Sequence, residues 1–223
     1  NFGGADLVAA GSDVFVAKLG SGGTHLWSKR FGDPSNASGS AIGVDGSGNA
    51  VMTGSFAGTI QFGGPDLVAA GDSDIFVARL DASGTHLWSK RFGDSATQAG
   101  GDVAVDAGGN VLLTGHFAGT INLGGADLTS AGPNDFFVAR FDPTGAHVWS
   151  KRFGGSATSI AVDGNGNIIV AGAFGGTINF GGADLVSAGA GDIFVVKLDP
   201  NGSHLWSRRF GDGQQQEARD VAV

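Results

Sequence analysis

The sequence predicts an all-β fold of repeated four-stranded antiparallel units, and three observations carry that prediction. The string GTHLWSKRFGD stands at residues 23–33, returns unchanged at 84–94, and recurs as GAHVWSKRFGG at 145–155 and GSHLWSRRFGD at 202–212, so His25, His86, His147 and His204 mark a period of about 60 residues. Within each period, short runs rich in Val, Ile, Phe and Trp are separated by Gly, Asn, Asp and Ser turns, the pattern of hairpins. No segment carries an apolar spacing of helical period.

One period, read from Ala41, justifies each element in order. AIGVD is a short strand, GSGN a turn, AVMTGSF a strand, AGTIQFGGPDLVAAGDS a long Gly-rich connection, DIFVARLD a strand, ASGT a turn and HLWSKRFG a strand. Within the long connection TIQFGGPDLVA, like TINLGGADLTS and TINFGGADLVS, reads as a further small hairpin turning at Gly-Gly. Four antiparallel strands in so long a period match the blade of a β-propeller, because a solenoid coil spends only about 20–30 residues per turn. The expected architecture is therefore one propeller domain, or part of a larger one, over residues 1–223, with repeats at 1–60, 61–121, 122–178 and an incomplete 179–223. The strands AIGVD, DVAVD, SIAVD and DVAV carry small residues, as blades converging on an axis require. In HLWSKRF, strict alternation places His25, Trp27, Lys29 and Phe31 on one face and Leu26, Ser28 and Arg30 on the other. Trp27, Trp88, Trp149 and Trp206 are accordingly expected to be largely buried wedges between blades.

Composition excludes several classes. The 42 Gly residues accompany only 5 Pro and no Gly-X-Y triplet, which rules out collagen and calls for many tight turns. There is no Cys, hence no disulfide framework and no thiolate metal site. No apolar run reaches the length of a membrane helix, and the chain begins at Asn1 without a signal-peptide pattern, as expected of a mature or excised piece. Of the 13 basic residues, all but Arg219 fall at three recurring positions: Lys18, Arg79, Arg140 and Lys197; Lys29, Lys90, Lys151 and Arg208; Arg30, Arg91, Arg152 and Arg209. With a net charge of −8, and with every acid except Glu217 an Asp, the chain lacks the basic field that nucleic acids require.

The strings DIFVVKLDPNGSHLW, DVAVDAGGNVLLTG and SIAVDGNGNIIVAG resemble the bacterial β-propeller repeats called SBBP, whose pattern runs close to D-V-F-V-A-K-L-D-x-x-G-x-x-x-W and then I-A-V-D-x-x-G-N-V-Y-V-T-G. The likeness extends over essentially the whole chain. It implies a propeller in secreted or cell-surface bacterial proteins, often large multidomain chains, with no defined catalytic site. The chain departs from the pattern in having about four repeats rather than seven, and apolar residues where Tyr is common.

The remaining motifs have plain structural readings. DGSGN, DAGGN and DGNGN open like calcium loops but lack the bidentate Glu and lie between strands, so they read as hairpin turns. One His per outer strand sets neighbours too far apart for a shared metal. The Lys-Arg pairs meet the abundant Asp residues or water, and NAS at 36 and NGS at 201 are sequons only in a secretory eukaryote. Neither metal nor cofactor is expected.

Function is sought where the repeats disagree. The connections DPSNASGS, DSATQAGG, GSAT and DGQQQEAR differ while the strands hardly change, and in a propeller they share one face with the long connections. The candidate ligand-binding residues are Asp33, Asn36, Asp94 and Gln98 in these connections, His116, which stands where the sister repeats have Ser55 and Ala173, and Gln215, Glu217 and Arg219. The expected function is a noncatalytic extracellular or bacterial cell-surface module that binds a protein or glycan, or spaces other domains. A propeller hydrolase or lyase is the alternative, disfavoured because nearly all His, Lys and Arg residues belong to the repeat, Cys and Tyr are absent and Glu217 is the sole Glu. Because the chain starts inside a long connection and stops after an inner strand, further repeats or further copies of itself are expected to complete the ring.

Overall fold

The computed structural model describes residues 1–132 and 135–223. Every regular element in it is a strand: β1 (Val14–Leu19), β2 (His25–Phe31), β3 (Ala37–Val44), β4 (Ala50–Phe56), β5 (Thr59–Ile60), β6 (Leu67–Val68), β7 (Asp74–Leu80) and β8 (His86–Phe92). The next period gives β9 (Gln98–Val105), β10 (Val111–Phe117), β11 (Thr120–Ile121), β12 (Leu128–Thr129), β13 (Asp135–Phe141) and β14 (His147–Gly154). The last gives β15 (Ser156–Val162), β16 (Ile168–Phe174), β17 (Thr177–Ile178), β18 (Leu185–Val186), β19 (Asp192–Leu198) and β20 (His204–Phe210).

These form four antiparallel sheets in tandem. The first is the hairpin β1-β2, and three four-stranded sheets follow in the orders β3-β4-β7-β8, β9-β10-β13-β14 and β15-β16-β19-β20. The small hairpins β5-β6, β11-β12 and β17-β18 stand where the Gly-Gly turns indicated, with Ile60 opposite Leu67, Ile121 opposite Leu128 and Ile178 opposite Leu185. No sheet closes on itself among the described residues. DVAV, expected as an inner strand, is irregular at Asp220–Val223, since no second strand lies beside it to take up its backbone hydrogen bonds. The inner strands also begin earlier than AIGVD and its sisters suggested: β3 starts at Ala37 and β9 at Gln98, inside the variable connections.

The core consists of three apolar layers, one between each pair of successive sheets. Val14, Val16 and Phe31 of the first sheet meet Met52, Phe56, Phe76 and Leu80 of the second. Ile75, Val77 and Phe92 then meet Val111, Leu113, Phe117 and Phe137 of the third, and Phe136, Val138 and Phe153 meet Ile168, Val170, Phe174 and Phe194 of the fourth. Strand alternation explains the arrangement: in a sheet covered on both sides, odd and even positions of one strand both carry bulk. Phe136 faces forward while Phe137 faces back, and both are fully buried. Beside β1, where the complete sheets have a further strand, lies a groove of about 670 Å³ lined by Phe2, Val14, Phe15, Ala37, Ile42 and Met52.

Candidate functional site

Three of the recurring Trp residues and several of the recurring basic residues fasten one sheet to the next. The Trp27 indole N–H donates to the Ala82 carbonyl, Trp88 to Pro143 and Trp149 to Pro200, at 3.1, 3.0 and 3.0 Å, each reaching a hairpin turn of the following sheet. The indole rings lie against Gly84, Gly145 and Gly202, whose positive φ closes those turns and whose missing side chains leave room for the rings. Arg79 joins the same contact. It donates to Asp45 in its own sheet at 2.5 Å and to the carbonyls of Gly109 and Pro143 in the next at 2.9 and 3.0 Å. Arg140 repeats this with Asp106 and Pro200, and Lys151 reaches the Gly202 carbonyl at 2.6 Å. The expectation of largely buried Trp residues needs correction: Trp27, Trp88 and Trp149 are half-buried, because each indole edge reaches a turn at the rim, and Trp206 is exposed, with no following sheet to cover it.

The His residues also lie elsewhere than strict alternation placed them. Leu19 pairs with His25 instead of Leu26, and the same register shift recurs at Leu80–His86, Phe141–His147 and Leu198–His204. The extra residue turns each His off the Trp face. His25 Nε2 meets Ser28 Oγ at 3.0 Å, and the same His-Ser contact is made by His86, His147 and His204. Each ring covers the second glycine of a Gly-Gly turn so closely that a Cβ on Gly64 would come within 2.2 Å of His86. Each imidazole is thus engaged inside its own repeat.

The carboxylates are similarly occupied. Arg30, Arg91, Arg152 and Arg209 pair with Asp13, Asp74, Asp135 and Asp192 within their own sheets. In the DGSGN turn, Asp45 accepts from the Ser47 and Asn49 backbone N–H groups and from the Asn49 side chain, and Asp106 and Asp163 do likewise with Asn110 and Asn167. The Arg30 hydrogen bond is the main reason that Asp13 lies below the ordinary carboxylate value. Lys197 and then Asn167 hold down Asp163, and the Ala188 N–H followed by Arg209 holds down Asp192. Burial moves His116 below its ordinary 6.5, outweighing a hydrogen bond to the Ala157 backbone. All these groups bind protons more weakly folded than unfolded, so acid favours the unfolded chain. Stability should begin to fall as pH drops below about 6.5, through His116 and the half-buried His147, which burial lowers in the same way, and fall more steeply below about 4, through the carboxylates. Urea midpoints across pH will show this. His116→Ser should diminish the first step, leaving the share that burial of His147 contributes, and keep the second, whereas a chain that gained stability between neutral pH and about 5 would contradict the assignment.

The candidate residues of the variable connections separate into braces and free groups. Asp33 accepts from the Ser35 and Thr59 backbone, and Asp94 from Ala96 and Thr120, so both pin a connection to the small hairpin beside it. Gln98, expected on an exposed loop, is buried at the start of β9; its amide donates to Asp94 and accepts from the Asp94 N–H, so it offers no binding surface. The same brace in the last repeat is made by Gln216 to Asp212, not by Gln215. The spacing D-x-x-x-Q, shared by Asp94–Gln98 and Asp212–Gln216, is the signal that distinguishes them. His116 sits within β10, opposite Phe136 and Ala99. Asn36 and Gln215 are exposed, and Glu217 and Arg219 form an exposed pair at 2.9 Å. Asn36 borders a recess of about 220 Å³ shared with Ser12, Ser55 and Ser73. A contact absent from the sequence reading links the inner strands: Ser159 Oγ lies 2.9 Å from Asp102 and 2.8 Å from Asp220, its one proton serving one carboxylate at a time. Asp102, Ser159 and Asp220 share one repeat position, the only sequence signal for it.

No protein-family profile matches the chain. It is 24% identical over 231 residues to an uncharacterised WD repeat-containing protein of Acanthamoeba polyphaga mimivirus, covering 84% of this chain and 16% of that protein. It is 26% identical over 165 residues to the regulatory protein FlaEY of Caulobacter vibrioides, covering 69% of this chain and 17% of that one. The chain therefore spans about a sixth of the length of these curated relatives. A crystal structure of a protein of unknown function from Bacteroides caccae aligns over 90% of this chain and 94% of its own, with 11% identity and a TM-score of 0.32. The likeness to a WD repeat-containing protein agrees with a tandem β-repeat.

Proposed function

We propose that the chain is a run of β-propeller blades of the type its repeats resemble, the SBBP repeats, and that it is a noncatalytic module of a secreted or cell-surface bacterial protein, binding a protein partner through its rim of unequal connections or holding neighbouring domains in place. One observation carries this reading: the residues with chemical capacity are spent on joining sheets and closing turns, while exposed variation gathers in the connections that hold Asn36, Gln215 and Glu217. Hydrolysis or elimination would need a nucleophile, a base and a stabilising group converging asymmetrically. All His, Lys and Arg residues except His116 and Arg219 instead recur at equivalent places, and the recurring His residues and the Arg30, Arg91, Arg152 and Arg209 series have equivalent partners. Repeated glycan sites between sheets are disfavoured too, since Trp27, Trp88 and Trp149 fill those places with their N–H groups already bonded.

Photo-crosslinking tests the reading. A reactive residue at Asn36 or Gln215 should give a polypeptide adduct with bacterial surface proteins that the same residue at Ser83 or Asn201, in the turns at the opposite ends of the strands, does not. Adducts from both rims alike, or a glycan retained on an array by the purified protein, would overturn it.

A further inference from the structure

Two Asn residues of the chain, Asn165 and Asn201, are followed by Gly, and both dipeptides stand in hairpin turns of the fourth sheet. With no side chain on the next residue to shield its backbone nitrogen, the carboxamide of a thermolabile Asn can reach it. Asn201 occupies the place of Ser83 and Thr144 in the equivalent turns, whose hydroxyls donate to Asp81 and Asp142 at 2.7 Å. Its own side chain is exposed, as Ser83 and Thr144 are in sheets covered on both sides, and has no hydrogen-bond partner among the described residues. The adjoining Gly202 is buried beneath the Trp149 ring. Its nitrogen donates to the Asp199 carbonyl at 2.9 Å, and Asp199 Oδ1 accepts from the Asn201 and Ser203 N–H groups at 2.8 Å each. The third sheet grips this turn on both sides of Asn201: Arg140 and Trp149 donate to the Pro200 carbonyl, and Lys151 to the Gly202 carbonyl.

We infer that Asn201 is a self-modification site, converted to aspartate or isoaspartate when the contact between the third and fourth sheets opens. The Gly202 nitrogen gives its proton to a solvent base and bonds to Asn201 Cγ, and the carboxamide nitrogen leaves as ammonia, taking up a proton from water. Water then opens the succinimide. Attack at Cγ gives aspartate in an unaltered backbone, and attack at the backbone carbonyl routes the chain through Cγ as isoaspartate. In the closed turn the nucleophile is occupied, because the Gly202 N–H is bonded to Asp199 and can reach Cγ only if the turn moves against three donors of the third sheet. The rate is therefore set by how often that contact opens. Isoaspartate makes the opening permanent: its added backbone carbon separates the Pro200 and Gly202 carbonyls that Arg140, Trp149 and Lys151 hold, and carries Gly202 from under the indole. Asn165 is the built-in comparison. Gly166 N–H donates to the Asp163 carbonyl at the same 2.9 Å, yet among the described residues no donor of the third sheet holds the carbonyls of Gly164 or Gly166. The inference goes beyond the proposed partner binding, which concerns the opposite rim.

Peptide mapping by mass spectrometry of the chain held in mildly alkaline buffer tests it, with isoaspartate scored by enzymatic methylation. Asn201 should convert at least about tenfold more slowly in the folded chain than in the chain unfolded by guanidinium. Lys151→Ala should speed conversion of Asn201 severalfold in the folded chain and leave Asn165 unchanged; Trp149→Phe takes its place if circular dichroism shows that it does not fold. The chain isolated with isoaspartate at 201 should expose more Trp to acrylamide than Asn201→Ser, which carries the sister residue and cannot react. An Asn201 that stays intact even in the unfolded chain, or that converts equally fast folded and unfolded, would overturn the inference. So would a loosened variant that converts no faster than wild type, or an isoaspartate chain as resistant to the quencher as Asn201→Ser.

Discussion

Phe194→Ala should destabilise the chain by about 4 kcal/mol, the middle of the range for deleting a buried aromatic side chain. The ring is fully buried between the third and fourth sheets and lies against three others, stacked on Phe136 at 5.5 Å, tilted against Phe180 at 5.0 Å and edge-on to Phe174 at 6.3 Å. Its removal withdraws apolar area and leaves a void that four strands of fixed register cannot close, since β16 and β19 are paired along their whole length. Phe15→Ala, at the same repeat position, should cost under about 1 kcal/mol, because Phe15 is exposed, its ring stacked on Phe2 at the surface. Denaturant unfolding of both variants checks the contrast. Equal losses would mean that the sheets do not pack as described.

Arg79→Ala should cost about 3 kcal/mol, and Arg79→Lys much less. The guanidinium is almost buried, and three acceptors depend on it: the Asp45 carboxylate and the carbonyls of Gly109 and Pro143. Alanine would leave a nearly buried carboxylate facing two carbonyl oxygens with no cation between them. Lysine keeps the charge, and the chain itself shows that an ammonium reaches: Lys18 Nζ meets the Gly48 and Ala82 carbonyls at 3.3 and 3.0 Å in the same relation. Arg79→Ala combined with Asp45→Asn should recover part of the loss, since the stranded charge is then removed. Thermal unfolding of the three variants is the measurement; an Arg79→Lys chain as unstable as Arg79→Ala would show that the fork geometry, not the charge, is what matters.

Much of the fold was legible because the repeat fixes it several times over. Strand positions, hairpin turns and the small Gly-Gly hairpin follow from alternation and turn chemistry, which act locally. The His residues escaped that reading because the bulge opposite Leu19 is a choice of pairing, and nothing in HLWSKRF distinguishes a straight strand from one that slips by a residue. Gln98 looked like loop because its connection is polar, yet the antiparallel ladder of β9 with β10 extends back to it, Gln98 pairing with Phe117, and Thr97 beyond it bridges Ser73. Of the candidate surface, the exposure of Asn36 and Gln215 agreed with their irregularity, while the bracing by Asp33, Asp94 and Gln216 depends on contacts between connections that are far apart in sequence. The exposure of the aromatic rings of Phe15 and Trp206 was invisible for the opposite reason: by sequence they are indistinguishable from their better covered sisters.

The one-way fastening of each sheet to the next has a consequence for how stability is distributed. Each sheet draws its burial from the sheet before and the sheet after, so the whole behaves as a row of coupled units whose free energy is a sum of intrinsic and nearest-neighbour contributions. The second and third sheets have two neighbours; the first and fourth have one. A lesion at one contact therefore divides the row instead of weakening it evenly, and a chain altered near Phe194 can lose its fourth sheet while the first three persist. Protection of backbone amides should be greatest in β10 and β13 and fall away toward β2 and β20, a gradient set by position in the row although the strands themselves are nearly the same.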